Sequence, residues 1–91
     1  MTQVVVTAEV ENGGDWENGF RTHADLFREQ TVNSPVSFAV NGNDVAIRFD
    51  VRDLDTYMSH MDSQATADAM KVDGVKRETV KIYVLDKDLE L

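Results

Sequence analysis

The sequence predicts an α+β fold in which two helices cover one face of a four-stranded antiparallel sheet. Four short runs alternate apolar and polar residues with the period of a strand, and two longer runs place apolar residues at helical spacing. The runs follow the order β-α-β-β-α-β and fill nearly the whole chain. A tight hairpin separates two split βαβ units, and right-handed crossovers place both helices on the same face.

The first strand and the first helix follow from the N-terminal third of the chain. Residues Gln3–Glu11 alternate as in a half-buried strand, and Asn12–Gly14 ends that run. Asp15 is expected to cap the helix that follows. The helix is expected to continue to Asn33–Pro35, since proline biases the preceding residue towards extended geometry. Its predicted apolar face consists of Trp16, Phe20, His23, Ala24 and Phe27.

A hairpin is predicted at Asn41–Asn43, between two further alternating runs. An Asn41-Gly42 loop and a Gly42-Asn43 loop differ in register by two residues, so both keep the same inward and outward faces. With Gly42-Asn43 as the loop, each inward residue faces another apolar residue across the hairpin. The predicted pairs are Val40 with Val45, Phe38 with Ile47, and Val36 with Phe49.

The second helix is expected to begin at Asp53 or Asp55 and to break at Asp62-Ser63. Ser63 then caps a shorter piece that ends at Gly74. The last strand is expected over residues 79–85, and residues 86–91 form a polar tail, so that 1–91 is one domain. The predicted apolar face of the second helix consists of Leu54, Tyr57, Met58, Met61 and Ala65, and that of the shorter piece of Ala65, Ala69 and Val72.

The two faces of the predicted sheet differ in chemistry. One is strongly apolar and is expected to lie under the helices. The other has small and apolar residues near its centre and charges around them, which is the anatomy of an interface. We therefore expect a homodimer through this open face, since a short chain gains most from extra burial; a solvated outer face is the alternative. The open face consists of Val5, Thr7, Ala39, Ala46, Tyr83 and Leu85, with Glu9, Arg48, Asp50 and Lys81.

This ferredoxin-like layout resembles the dimeric α+β barrel proteins, a group that includes antibiotic-biosynthesis monooxygenases and many small bacterial proteins. The stretch Tyr57–Met70 carries the resemblance, because in that group a break in the second helix precedes a short alanine-containing turn. The resemblance implies the fold and dimerisation rather than a reaction. One branch of the group degrades haem with an Asn on the first strand, a Trp on the third and a His on the second helix. Here Trp16 lies on the first helix and only His60 matches.

Composition excludes several classes of function. The 17 acidic and 9 basic residues give a net charge of −8, which repels nucleic-acid phosphates and anionic membranes. The absence of cysteine removes disulfides, thiolate metal sites and a cysteine nucleophile. His23 and His60 lack a metal-binding spacing, so neither a metal nor a cofactor is expected. No apolar run approaches the ~20 residues of a membrane span, and a signal-peptide pattern is missing, so a cytoplasmic location is expected.

His23 is the candidate functional residue, because its imidazole is centred on the apolar face of the first helix. It is either a core histidine bonded to a backbone carbonyl, Tyr57, Gln30 or water, or it points into a pocket under the helices. In a pocket it binds a carbonyl or carboxylate of a ligand, or acts as the general base; any catalytic role belongs to this residue. The expected ligand-binding residues are Trp16, Phe20, His23, Phe27, Tyr57, Met58 and Met61.

Three functions are compatible with these residues. The first is binding of an elongated apolar molecule, such as a fatty-acid-like compound or an aromatic carbonyl compound, between helices and sheet. The second, implied by the resemblance, is a cofactor-independent monooxygenase or isomerase with a histidine base. The third is a ligand-free dimeric interaction module. The sequence alone does not decide whether the protein is an enzyme.

Overall fold

The computed structural model describes residues 1–91 and confirms the predicted fold. Four antiparallel strands lie in the order β2-β3-β1-β4, and the helices pack on one face of this sheet. A 3₁₀ turn at Arg77–Thr79 precedes the last strand. The strands are β1 (Thr2–Glu9), β2 (Val32–Asn41), β3 (Asp44–Val51) and β4 (Lys81–Leu85), and the helices are α1 (Gly13–Phe20), α2 (Ala24–Glu29), α3 (Leu54–Met61) and α4 (Gln64–Val72).

The hairpin between β2 and β3 uses Gly42-Asn43 as its loop, so Val40 pairs with Val45 as predicted. Gly42 has φ of 61°, a left-handed conformation that glycine adopts without steric cost. The predicted pairing of Val36 with Phe49 is wrong, because the register shifts between Asn33 and Ser37. Three residues of β2 there oppose one residue of β3, which is an irregularity suited to an edge strand.

Strand β2 begins earlier than expected, at Val32. The predicted helix end at Asn33–Pro35 is therefore wrong: α2 stops at Glu29, and Thr31 with φ of 65° turns the chain into the strand. Thr31 is held there by its hydroxyl, which donates to the Asp53 carbonyl at 3.0 Å. Pro35 lies within β2, where the missing N–H is tolerated because β2 is at the edge of the sheet.

The first helix is broken into two short helices, which corrects the prediction of one continuous helix. The amides of Thr22 and His23 bond to the carbonyls three residues earlier, those of Gly19 and Phe20, so the chain tightens and α1 ends. His23 consequently occupies the N-cap position of α2 rather than the middle of a helix. The predicted cap of α1, Asp15, is wrong. The N-cap is Asn12, whose side chain accepts a hydrogen bond from the Asp15 amide at 3.0 Å.

The predicted break in the second helix is confirmed, with Asp53 capping α3 and Ser63 capping α4. The pKa of Asp53 is lowered because its carboxylate accepts from the Thr56 amide. The predicted apolar face of α4 is wrong at both ends, since Ala65 is exposed and Val72 is 80% exposed. The residues that this part of the chain buries are polar, Thr66 and Asp73.

The core consists of two clusters that meet under the helices. The larger cluster joins the sheet to α3 through Tyr57, and the smaller one joins it to α1 through Trp16. Ile47 on β3 packs against both clusters. None of the helices has the length and apolar character required to cross a bilayer. The larger cluster contains Val4, Val6, Val32, Phe49, Val51 and Tyr57, and the smaller one Val10, Trp16 and Val45.

Candidate functional site

A cavity of about 100 Å³ lies between the helices and the sheet, at the junction of the two core clusters. Its walls include Val6 and Tyr57 of the larger cluster and Trp16 and Val45 of the smaller one. Of the 18 residues that line it, 14 are apolar. The cavity is therefore an apolar space with few polar groups, the usual composition of a small-molecule site.

Six of the seven residues expected to bind a ligand line this cavity. Met58 does not line the cavity, and it is 41% exposed. On α3 the side chains of Tyr57 and Met61 face the cavity, and Met58 is rotated about 100° from Tyr57 around the helix axis. The assignment of Met58 to the site is therefore corrected. His60, on the same helix, also lies outside the cavity. The six predicted residues that lie on the cavity wall are Trp16, Phe20, His23, Phe27, Tyr57 and Met61.

Aromatic rings form a continuous wall on the α1–α2 side of the cavity. The rings of Trp16 and Phe20 are stacked with centroids 4.7 Å apart, and Phe20 meets Phe27 edge to face at 5.3 Å. Such arrangements are favoured by the quadrupoles of the rings. Phe20 and Phe27 also line a groove on the outer surface beside β2, so these two side chains separate the cavity from solvent.

His23 and Asp73 form one polar pair on the cavity wall. The imidazole Nδ1 lies 3.0 Å from Asp73 Oδ2, and the Asp73 side chain is only 7% exposed. Because a carboxylate only accepts, Nδ1 is the donor. The partner of His23 is thus a carboxylate at the C-cap of α4, which links α4 to the junction of α1 and α2.

Gly19 makes this pair possible. A Cβ at position 19 would overlap the Asp73 Oδ1 atom, since the carboxylate packs directly against the backbone of α1. A glycine inside a helix costs about 1 kcal/mol relative to alanine. The structure therefore explains this otherwise unfavourable residue by the space that the Asp73 carboxylate occupies.

The surroundings of Asp73 oppose its negative charge. The pKa of Asp73 is raised because burial disfavours the carboxylate, and the nearby His23 imidazole lowers it by a smaller amount. Asp73 also caps the C-terminus of α4, where the carbonyl dipoles disfavour an anion. Its Oδ1 atom is buried and has no hydrogen-bond partner. Asp73 is thus a costly residue for the fold, which is common for functional residues.

A second polar chain reaches the cavity from the break between α3 and α4. Gln30, which is 2% exposed, donates from Nε2 to Thr66 Oγ1 at 3.0 Å. Thr66 Oγ1 lies 3.1 Å from Ser63 Oγ, and the Ser63 hydroxyl is 2.6 Å from the His60 carbonyl. Gln30 Oε1 is buried and, like Asp73 Oδ1, has no partner. Burial raises the pKa of the Tyr57 phenol, which also lines the cavity, so this phenol stays protonated.

Asp73, Thr66 and Gln30 are the polar residues of the cavity that sequence reasoning did not assign to a ligand site. Asp73 and Thr66 lie seven residues apart, two turns of one helical face, with Ala69 and Met70 between them on the cavity wall. A face containing a threonine and an aspartate is more typical of a solvated surface. The available signal was Gly19: an unexplained helix glycine one turn before an apolar-face histidine indicates that another group approaches closely there.

These features define an α+β, ferredoxin-like protein with an apolar cavity under its helices. No protein-family profile matches the chain, and no curated relative matches it. Solved structures of antibiotic biosynthesis monooxygenase-like proteins share its fold. A Bordetella bronchiseptica protein provisionally named antibiotic biosynthesis monooxygenase is 18% identical with a TM-score of 0.74, over 97% of each chain. A Deinococcus radiodurans protein of the same provisional name is 14% identical with a TM-score of 0.65, over 100% of this chain and 96% of its own.

A third structure is a Streptomyces coelicolor monooxygenase in complex with Nanaomycin D. It is 12% identical with a TM-score of 0.61, and the match covers 99% of this chain and 89% of that one. These likenesses confirm the fold and the resemblance to the antibiotic biosynthesis monooxygenase-like group. At such low identities they carry the fold alone.

Gly19→Ala should destabilise the protein by about 1–3 kcal/mol, because the added methyl group overlaps Asp73 Oδ1 and forces the carboxylate or α1 to move. Gly14→Ala is the matched control: it lies in the first turn of the same helix with only an ordinary contact to Asn12, so we expect no loss or a gain of up to about 1 kcal/mol. Urea unfolding measures both. The double variant Gly19→Ala/Asp73→Ala lacks the overlap. Its loss in free energy of unfolding should therefore be smaller than the sum of the losses in the two single variants. Additive costs would contradict this account.

Asp73 should make the stability of the protein depend on pH. Because its folded pKa is raised, its contribution to the free energy of unfolding is complete below the ordinary value of 3.8 and is lost as the pH rises through the raised value. Asp73→Asn does not ionise and should therefore gain stability relative to the parent from about pH 4 upward. The gain should be larger in a His23→Gln background, since the imidazole lowers the pKa of Asp73. The test is the urea midpoint of the parent protein and of Asp73→Asn across this pH range, with Asp62→Asn at an exposed position as the control. A difference between the parent and Asp73→Asn that does not change with pH would refute the prediction.

Proposed function

We propose that the protein binds a compact, largely apolar small molecule in the cavity, with the polar end of the molecule at the His23–Asp73 pair. The observation that carries this proposal is the combination of an apolar cavity with a buried carboxylate on its wall that lacks a partner for one oxygen. A cavity that served only as a packing defect would be expected to have an apolar lining. The cost of burying Asp73 is offset if a ligand supplies the missing contact.

The size of the cavity favours a molecule of about one aromatic ring. Ordinary ligand pockets occupy roughly 300–1,000 Å³, whereas an engineered dry cavity of about 150 Å³ accommodates benzene. The cavity of about 100 Å³ belongs at the lower end of this scale. The aromatic wall of Trp16, Phe20 and Phe27 offers ring contacts to such a molecule. Of the ligands expected from the sequence, an aromatic compound therefore fits better than an elongated fatty-acid-like one.

A second candidate function is cofactor-independent catalysis, as a monooxygenase or an isomerase, with His23 as the general base. The observation that favours it is the 3.0 Å contact between Asp73 Oδ2 and His23 Nδ1, which orients the ring and fixes one nitrogen as a donor. The name of the Streptomyces coelicolor neighbour, a monooxygenase with a bound ligand, is consistent with such chemistry on this fold. We propose no cofactor and no metal for either function.

We further propose that two copies of the chain pair through the open sheet face. Strand pairing places Val5, Tyr83 and Arg48 side by side on this face, and Thr7 beside Ala46 and Lys81. Tyr83 and Leu85 are each 47% exposed there, although both are large and apolar. A depression of about 530 Å³ lined by Thr7, Ala46 and Tyr83, among others, offers space for side chains of a second copy. We propose the cytoplasm as the location, in keeping with a chain that has no cysteine.

Binding is tested by thermal melting of the purified protein with toluene, a one-ring probe, and with a long-chain fatty acid. We expect toluene to raise the melting temperature and the fatty acid to leave it unchanged. Ala69→Leu fills the cavity and should abolish the shift, whereas Ala65→Leu, on the exposed side of the same helix, should retain it. No shift with toluene, or equal shifts in the two variants, would remove the support for a ligand site in this cavity.

Dimerisation is tested by sedimentation velocity. Ala46→Arg places a long charged side chain at the centre of the open face, where it pairs with Thr7 and Ala39, without touching the core. We expect the parent protein to sediment as a dimer and Ala46→Arg as a monomer. Ser59→Arg is the control, since it introduces the same charge at an exposed position on α3. A monomeric parent protein, or a dimer unaffected by Ala46→Arg, would overturn the proposed interface.

A further inference from the structure

Two chains of hydrogen bonds end at the cavity, and both end in an acceptor that has no donor. In the first chain the His23 Nδ1 proton is donated to Asp73 Oδ2, which leaves Asp73 Oδ1 buried and unpaired. In the second, Gln30 Nε2 donates to Thr66 Oγ1, which leaves Gln30 Oε1 buried and unpaired. Both residues line the cavity. Buried polar atoms without a partner are rare, so two on one small cavity call for an explanation.

The orientation of the Gln30 amide follows from the rest of its chain. The Ser63 hydroxyl has one proton, and the 2.6 Å distance to the His60 carbonyl assigns that proton to the carbonyl. The 3.1 Å contact between the Ser63 and Thr66 hydroxyl oxygens is then a donation by Thr66. Thr66 has no second proton, so at 3.0 Å it accepts from the Gln30 NH₂ group. The oxygen of the Gln30 amide is therefore the atom left over.

Asp73 Oδ1 is likewise an acceptor that is left without a donor. The carboxylate uses Oδ2 for the imidazole, and no other side chain or backbone amide of the chain donates to Oδ1. Gly19 brings the backbone of α1 against this oxygen without supplying a donor. Two residues that line the cavity, Asp73 and Gln30, thus each carry a buried acceptor without a donor, and the one on Asp73 belongs to a negatively charged group.

We propose that the cavity selects uncharged molecules that present a hydroxyl or N–H donor to Asp73 and Gln30, and that it rejects carboxylates. This inference rests on the proposed binding function and defines its ligand class. A donor satisfies an acceptor that otherwise stays unpaired, and a hydrogen bond to a charged group is stronger than one between neutral groups. A carboxylate ligand meets the Asp73 carboxylate at short range in an apolar cavity, where repulsion is least screened. A carbonyl ligand can accept from the Tyr57 hydroxyl on the cavity wall, but it leaves Asp73 Oδ1 and Gln30 Oε1 without a donor.

Four one-ring probes of similar size test this selection at neutral pH by isothermal titration: phenol, toluene, benzaldehyde and benzoate. We expect phenol to bind about tenfold or more tightly than toluene, since one hydrogen bond to a charged acceptor supplies at least that factor. Benzaldehyde should bind more weakly than phenol, and benzoate should not bind. Equal binding of phenol and toluene overturns the donor selection while leaving the binding function intact. Preferred binding of benzaldehyde or benzoate also overturns it, whereas failure of all four probes refutes the binding function itself.

Asp73→Asn provides a second, independent readout. The asparagine oxygen can accept from His23 Nδ1, which places an NH₂ donor where the unpaired Oδ1 lies in the parent protein. We expect the ratio of phenol to benzaldehyde affinity to fall about tenfold or more in this variant. Asp62→Asn, at an exposed position, should leave the ratio unchanged. An unchanged ratio in Asp73→Asn would contradict the proposal, and the four-probe series on the parent protein decides it even if this variant does not fold.

Discussion

The contact between the Asp73 carboxylate and the first helical segment is the constraint on which the site depends. It joins the end of α4 to the junction of α1 and α2, two parts of the helical layer that are fifty residues apart in the sequence. The contact requires a helix with no side chain at position 19 and an imidazole at position 23. It also requires a carboxylate where burial and the α4 dipole both oppose negative charge. Such an arrangement lowers stability, and proteins commonly accept that cost at functional sites.

The cavity follows from the same constraint. The tightening at Thr22 and His23 divides the first helical segment into two short helices, and the break at Asp62-Ser63 divides the second. The helical layer therefore consists of four short pieces, and the two core clusters beneath it leave a space where they meet. A ligand that fills this space, as proposed, adds apolar contacts and pairs the free acceptors.

The sheet could be predicted from the sequence because the patterns that define it extend over only a few neighbouring residues. Alternation assigns the faces, the turn residues at Asn41–Asn43 mark the β2–β3 hairpin, and Ser63 marks the helix break. The apolar side of the cavity could be predicted for the same reason, since helical spacing groups Phe20 with Phe27 and Tyr57 with Met61. Asp73 could not, because its role depends on a contact with a residue fifty positions earlier. Thr22 likewise gives no periodic signal, although its backbone and side-chain bonds to Gly19 end α1.

The chemistry of the cavity and the charge of the whole chain act in the same direction. The protein carries a net charge of −8, so its surface already lowers the local concentration of anions before any of them reaches the cavity. Inside, the one charged group is again a carboxylate, and the unpaired atom beside it is an amide oxygen. The field outside and the acceptors inside both oppose anions, in agreement with the proposed selection of uncharged ligands. The fold alone does not determine this polarity, because ferredoxin-like proteins of very different sequence share the backbone. It results from Gly19, His23, Gln30 and Asp73, and the proposed ligand specificity depends on these four residues.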